Sequence, residues 1–235
     1  PVICVDSDAP DSRRILFIGT DNFQAGIESG RRMAEILRGQ GQIVLITIPG
    51  QLNLEERLRG VNETFKRYPG IKIFRTVDDK GDPRIANDGI SHMLEAKERI
   101  EGLLCLEASG GSGAAEALHR LNLDGKVPIV AMDKSPETLD WISRGVISAT
   151  ITQKSYTMSF YGLRFLDDLH HNVLSHVFNF LCIEAPLFPR RHRGDGAVLA
   201  LKTLVPGPLL ASQTASHKQL LAVFQRVLPS CLSHH

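Results

Sequence analysis

The chain has 235 residues, of which 43% are apolar, so it is long enough and hydrophobic enough to bury a core and does not have the composition of a disordered chain. Its formal net charge of +1 at pH 7 gives no long-range field for nucleic acid or an anionic membrane, so we expect no nucleic-acid partner for this segment. A neutral ligand remains permitted. No run of about 18 apolar residues is present, and the sequence therefore predicts no membrane span.

The amino-terminal residues Pro-Val-Ile-Cys-Val-Asp form an apolar, strand-like run that ends on Asp6. The sequence therefore opens within a strand. It shows neither an initiator Met nor the basic start and apolar core of a signal peptide. We expect the amino terminus to be truncated.

From residue 42 to about residue 169, short apolar runs alternate with segments of helical period, which is the pattern of βαβ units. Most of these runs are apolar on both faces, as expected for a parallel sheet that helices cover on both sides. The pattern predicts an α/β fold with a Rossmann-like parallel sheet flanked by helices. The predicted strands are 42–48, 71–77, 101–106, 127–132 and 147–152.

The helical segments are well delimited. The first is expected to end at Gly39 and the second at Pro69-Gly70, because glycine and proline end helices. Asp82 and Ser135 each precede a proline, which favours an N-cap followed by proline in the first turn. A last helix is predicted after Ser155.

After about residue 171 the alternation of strands and helices stops. Residues 172–235 contain several prolines and the basic cluster 190–193, with helices predicted only near 198–204 and 216–228. We expect a divergent tail of unknown structure, and a frame-shifted or read-through end would explain it.

Three apolar runs end on an acid, namely Asp6, Glu107 and Asp133. The carboxyl ends of parallel strands share one edge of the sheet, and ligands bind in the crevice outside that edge. Carboxylates accept several hydrogen bonds, which suits the hydroxyl groups of a sugar. The alternative is that such acids cap the next helix, although for Asp133 the nearby Ser135 is the better cap.

Two further side chains are expected near this edge. Arg57 lies near the start of a helix and could form a bidentate pair with sugar oxygens or with an acid, the alternative being a solvated surface arginine. Gln153 follows a strand, and its amide can both donate and accept.

The stretch Ser109–Gly113 is rich in glycine but lacks the order of a dinucleotide site or a P-loop. We expect a flexible turn there that lets the backbone approach a ligand.

The sequence offers no pattern for catalysis or metal binding. Its four cysteines are scattered without CxxC spacing, and neither a Ser-His-Asp order nor HExxH is present. We therefore expect no catalytic residue, no metal and no cofactor. An α/β enzyme acting on a sugar or nucleotide stays open as an alternative, but no residue pattern nominates its nucleophile or acid.

Taken together in chain order, these segments resemble a known family. Residues 1 to about 169 are similar to the ribose/allose-type periplasmic sugar-binding proteins of ABC importers, whose fold is shared with the effector domains of LacI-type repressors. The motifs that carry the resemblance are Pro1–Pro10, Gly19–Asn22 with Ala25–Gly26, Glu56–Gly60, Asp78–Asp82, Val130–Asp133 and Ala149–Lys154.

The resemblance implies a non-catalytic protein with two Rossmann-like lobes that close on a small-molecule sugar, in the periplasm or another extracytoplasmic space. A membrane permease of an ABC importer would be its partner. The alternative is the effector-binding domain of a LacI-type, sugar-responsive regulator. The implied division is a remnant of the N-terminal lobe and hinge at 1–20, a C-terminal ligand-binding lobe at 21–152, a hinge and returning helix at 153–171, and the tail at 172–235, so the second lobe is incomplete.

The resemblance also implies the ligand contacts. Glu107 stands where relatives often have asparagine, which leaves the identity of the sugar open. Ser7 replaces an arginine that is common in ribose binders, so ribose itself is not favoured. The predicted ligand-binding residues are Asp6, Ser7, Arg57, Glu107, Asp133 and Gln153.

Overall fold

The computed structural model describes residues 2–170, 181–183 and 187–189, and its strands form two sheets. The larger sheet has six strands and the smaller has three. In chain order the elements are β1 (Ile3–Val5), β2 (Leu16–Thr20), α1 (Asn22–Ile36), β3 (Gln40–Thr47), α2 (Leu52–Phe65), β4 (Gly70–Asp78), α3 (Pro83–Glu95), β5 (Gly102–Cys105), α4 (Ala108–Arg120), β6 (Ile129–Met132), α5 (Pro136–Ser143), β7 (Ala149–Ile151), α6 (Ser155–His170), β8 (Leu181–Ile183) and β9 (Leu187–Pro189).

The larger sheet has the order β4-β3-β5-β6-β7-β9, in which the first five strands are parallel and β9 is antiparallel to β7. Ile43 and Leu45 of β3 pack with residues of α1 and α2. The alternate residues Val44 and Ile46 pack with residues of α3 and α4. The strand is therefore buried on both faces, as its sequence predicts. The α/β fold with a parallel sheet flanked by helices is confirmed.

The helix boundaries follow the predicted signals. The Asp82 carboxylate accepts a hydrogen bond from the backbone N–H of Arg84 at 2.9 Å, and the Ser135 hydroxyl accepts one from the N–H of Thr138 at 3.1 Å. Both residues are the predicted N-caps, and each is followed by proline. Helix α1 ends at Ile36, three residues before Gly39.

The predicted flexible turn at Ser109–Gly113 is wrong, because these residues form the first turns of α4. The glycines are needed for close packing. A Cβ on Gly111 would lie 2.7 Å from the Cβ of Ala131, and one on Gly113 would lie 2.1 Å from the backbone oxygen of Pro83. The short side chains thus let α4 approach both β6 and α3.

The smaller sheet has the order β1-β2-β8, and all its strands are parallel. Helix α6 lies against β1 and β2 and buries Met158 and Phe165. Between residues 2 and 170 the chain passes from one sheet to the other twice, from β2 into α1 and from β7 into α6. The division of the chain into lobes and hinges that the sequence analysis gives stays a prediction.

Two strands fall in the stretch 172–235, for which the sequence analysis predicted none. β8 extends the smaller sheet beside β2, and β9 extends the larger sheet beside β7. The helices expected near 198–204 and 216–228 lie outside the described residues. Within the described part of the chain, no helix combines the length and the apolar character needed to cross a membrane.

Candidate ligand-binding site

Asp6 and Asp133 lie in the same local arrangement at the ends of two strands. Each has a positive φ, 71° for Asp6 and 66° for Asp133, a region that aspartate enters more readily than most residues. The backbone N–H of Asp6 donates to the oxygen of Ile18 at 3.0 Å, and that of Asp133 donates to the oxygen of Ile151 at 2.6 Å. In both cases the acid is fixed to the neighbouring parallel strand, at the carboxyl edge of the sheet.

Thr20 and Gln153 stand two residues beyond those two carbonyl groups, where the chain leaves one sheet for the other. The Thr20 hydroxyl donates to Oε1 of Gln153 at 2.7 Å. This hydrogen bond ties the two crossing segments to each other.

Arg57 connects this pair to the larger sheet. Its side chain is 2% exposed, so the alternative of a solvated surface arginine is wrong. Nη2 donates to Gln153 Oε1 at 3.1 Å, Nη1 to the backbone oxygen of Leu106 at 2.6 Å, and Nε to Asn22 Oδ1 at 2.9 Å. Because a guanidinium has only donors, the amide oxygen of Gln153 must face it. The amide nitrogen is then directed to Asp133, with Nε2 to Oδ2 at 3.3 Å.

Glycine at two positions brings the Arg57 backbone close to α1. A Cβ on Gly26 would lie 1.9 Å from the backbone oxygen of Arg57, and a Cβ on Gly60 would lie 2.1 Å from that of Phe23. The helices α1 and α2 therefore pack backbone to backbone here. This contact places the guanidinium next to the crossing segments.

The charges of the site influence one another. Burial lowers the pKa of the Arg57 guanidinium, and the carboxylates of Asp133, Asp6 and Glu107 oppose that change. Burial raises the pKa of Asp133, while the hydrogen bond from Gln153 and the charge of Arg57 act in the opposite direction. Each buried charge of the network therefore has a partner of opposite sign or a hydrogen bond.

Glu107 is directed at the amino terminus of α4. Its Oε2 accepts from the backbone N–H of Ser109 at 2.7 Å and its Oε1 from that of Gly110 at 2.5 Å, so it is the N-cap of the helix. The alternative considered from the sequence, that an acid after a strand caps the next helix, thus describes Glu107. Asp79, fully buried at the end of β4, lies beside it.

The structure joins three of the predicted residues, Arg57, Gln153 and Asp133, in one hydrogen-bonded network. The charge of Asp6 lies close enough to act on Arg57 and Asp133. Ser7 follows Asp6 on an exposed turn, and among the described residues its side chain has no hydrogen bond to this network.

The sequence analysis missed three participants, Thr20, Asn22 and Asp79. Thr20 and Asn22 belong to a motif that carries the resemblance, and their place between a strand and a helix was the available signal. Asp79 also lies in such a motif, Asp78–Asp82, but its run of polar residues is typical of a solvated loop.

The chemistry of the network suits a hydroxylated, uncharged ligand. A guanidinium has five N–H groups, and three of those of Arg57 are used within the protein, which leaves two. The carboxylates of Asp6 and Asp133 are acceptors. Two carboxylates against one guanidinium leave a negative charge, which disfavours anionic ligands.

A family model that describes a periplasmic binding protein domain matches residues 1–171 of the chain. The chain is 27% identical to the D-allose-binding periplasmic protein of Escherichia coli over 154 residues, which are 65% of this chain and 50% of that protein. It is 28% identical to the xylitol-binding protein of Mycolicibacterium smegmatis over 155 residues, 63% of this chain and 43% of the relative. The chain thus spans about half the length of the curated relatives it matches.

Solved structures agree with this similarity. A sugar-binding protein of a sugar ABC transporter from Bacillus halodurans superimposes with a TM-score of 0.74 and 32% identity, over 81% of this chain and 69% of the other.

Proposed function

The chain belongs to the periplasmic binding protein domain family, and from this premise we propose that it binds a monosaccharide or a similar small polyol between two α/β lobes. In this role it is the non-catalytic, substrate-binding component of an ABC sugar importer. The observation that carries the proposal is the continuous network Asp133–Gln153–Arg57, which lies where the two crossing segments meet.

The charge of the network and the relatives both support a neutral, hydroxylated ligand. The relatives are named for D-allose and for xylitol, which are both uncharged and rich in hydroxyl groups. Each hydroxyl of such a ligand can donate to a carboxylate of Asp6 or Asp133 and accept from Arg57. A sugar phosphate or sugar acid would instead place its negative charge beside these carboxylates.

The proposed ligand set is Asp6, Arg57, Asp133 and Gln153, with Ser7 on the exposed turn after Asp6 and Glu107 at the amino terminus of α4. The permease of an ABC importer is the proposed protein partner, and an extracytoplasmic space the proposed location. Both follow the relatives, one of which is named as periplasmic and one of which is described as part of a sugar ABC transporter.

The test is a hybrid in which residues 1–171 replace the matching part of the D-allose-binding protein, which supplies a complete partner lobe. Calorimetry with D-allose, xylitol, D-arabinose and gluconate should show binding of at least one uncharged compound and none of gluconate. Asp133→Ala in this hybrid should weaken binding about tenfold to a hundredfold, because a hydrogen bond to a charged group contributes about 1.5–3 kcal/mol.

Asp88→Ala is the matched control, since Asp88 is exposed on α3. It should leave the affinity unchanged. If the hybrid binds a sugar tightly and Asp133→Ala has no effect, Asp133 has only a structural role and the proposed site is misplaced.

A further inference from the structure

A cluster of two carboxyl groups and one hydroxyl lies at the start of α4. Oγ of Ser109 is 2.5 Å from Glu107 Oε2 and 3.1 Å from Asp79 Oδ2. A serine hydroxyl has one proton and can donate to only one of these oxygens. When that proton goes to Glu107, the nearer acceptor, a protonated carboxyl group of Asp79 can complete the second contact by donating to Oγ.

The surroundings assign that proton to Asp79. Its side chain is completely buried, whereas Glu107 receives two backbone N–H groups of α4, which stabilise a carboxylate. Burial, together with the hydrogen bond and the charge of Glu107, raises the pKa of Asp79 to about 7.

The other titratable groups near the cluster do not supply a competing proton. Burial raises the pKa of the Cys105 thiol, which lies below on β5 and stays neutral. The charge of Glu107 acts to raise the pKa of Arg57, against the effect of burial, so the nearby guanidinium keeps its own proton. On the loop of Asp79 itself, the titratable neighbours are Asp78, Lys80 and Asp82, none of them buried.

We propose that Asp79 is a proton-carrying positioning residue, whose neutral carboxyl group keeps the Glu107 carboxylate on the first turn of α4. Loss of this proton would place two negative charges side by side in a buried cluster. The amino terminus of α4 is thereby made sensitive to pH. This proposal rests on the geometry of the cluster and does not depend on the proposed function.

The sign of the effect follows from proton linkage. The folded chain holds a proton on Asp79 that the unfolded chain releases once the pH exceeds the ordinary aspartate pKa. Stability from this group is therefore complete in acid and declines until the pH passes about 7. Over that range the unfolding constant should rise by up to about tenfold per pH unit.

The test is urea denaturation of the full chain between pH 5 and pH 8, followed by the fluorescence of Trp141, which is the single tryptophan and lies on α5. In Asp79→Asn the amide keeps a donor but cannot titrate. We expect its unfolding constant, relative to that of the wild type, to fall by up to about a hundredfold between pH 5 and pH 7. Asp78→Asn, an exposed neighbour, should keep the wild-type pH dependence.

A second measurement covers the case in which Asp79→Asn fails to fold. Carbon-13 NMR of the wild-type carboxyl groups should show Asp79 titrating near pH 7. Titration of Asp79 near pH 4, or the same pH dependence of stability in Asp79→Asn, Asp78→Asn and the wild type, would overturn the proposal. Neither measurement uses a sugar, so either result leaves the ligand-binding proposal to its own test.

Discussion

Gln153 illustrates why an amide suits the centre of this network. Its oxygen accepts from both Thr20 and Arg57, while its nitrogen donates to Asp133. A carboxylate here would have no donor for Asp133, and an apolar side chain would leave the buried donors of Arg57 and Thr20 without an acceptor. The orientation of the amide is fixed by its neighbours.

Removing the Thr20 hydroxyl should therefore destabilise the protein. Thr20→Val keeps the shape of the buried side chain but deletes the hydrogen bond to Gln153, which should reduce the free energy of unfolding by about 1 kcal/mol. Urea denaturation measures this change. Thr20→Ser, which keeps the hydroxyl, should lose less, and a larger loss in Thr20→Ser than in Thr20→Val would show that packing and not the hydrogen bond matters.

At the scale of elements, the contact between α1 and α2 determines where Arg57 lies. A methyl group on Gly60 would meet the backbone oxygen of Phe23, which cannot move without its helix. Gly60→Ala should thus cost about 1–3 kcal/mol of stability through overpacking. In the hybrid protein it should also weaken sugar binding, because the guanidinium shifts with α2.

Gly89 provides a matched control for this prediction, because it is also inside a helix. A methyl group there would meet only the side chain of Val77, at 3.2 Å. Gly89→Ala should cost less stability than Gly60→Ala, because its contact is with a side chain and alanine favours a helix over glycine by up to about 1 kcal/mol. Thermal denaturation of both variants compares them, and equal losses would contradict the role given to the α1–α2 contact.

Features with a local cause could be predicted from the sequence, and features with a distant cause could not. The caps at Asp82 and Ser135 depend on residues two and three positions away, and both were predicted correctly. Gly111 and Gly113 suggested a loop because the tight packing that needs them involves β6 and α3, which are distant in the sequence. The bond between Thr20 and Gln153 joins residues 133 positions apart, beyond any local pattern.

At the scale of the whole molecule, the site is built twice in similar form. An aspartate of positive φ follows β1, and another follows β6. The backbone N–H of each donates to the neighbouring strand, β2 or β7, at a carbonyl group two residues before Thr20 or Gln153. The two crossing segments then meet through Thr20 and Gln153. A ligand held by both aspartates would contact both sheets, which is the arrangement that closure of two lobes requires.

The part of the chain that is built on the larger sheet should fold without the rest. Its five parallel strands and the helices α1 to α5 all lie within residues 22–151, so a fragment of residues 21–152 retains both layers that cover the sheet. We expect this fragment to unfold cooperatively in urea, as followed by circular dichroism. A fragment that ends at residue 128 lacks β6 and with it the fully buried Ile129 and Val130, and it should show no cooperative transition. An unfolded 21–152 fragment would mean that this lobe depends on segments beyond the predicted boundary, and the proposed division of the chain would then be wrong.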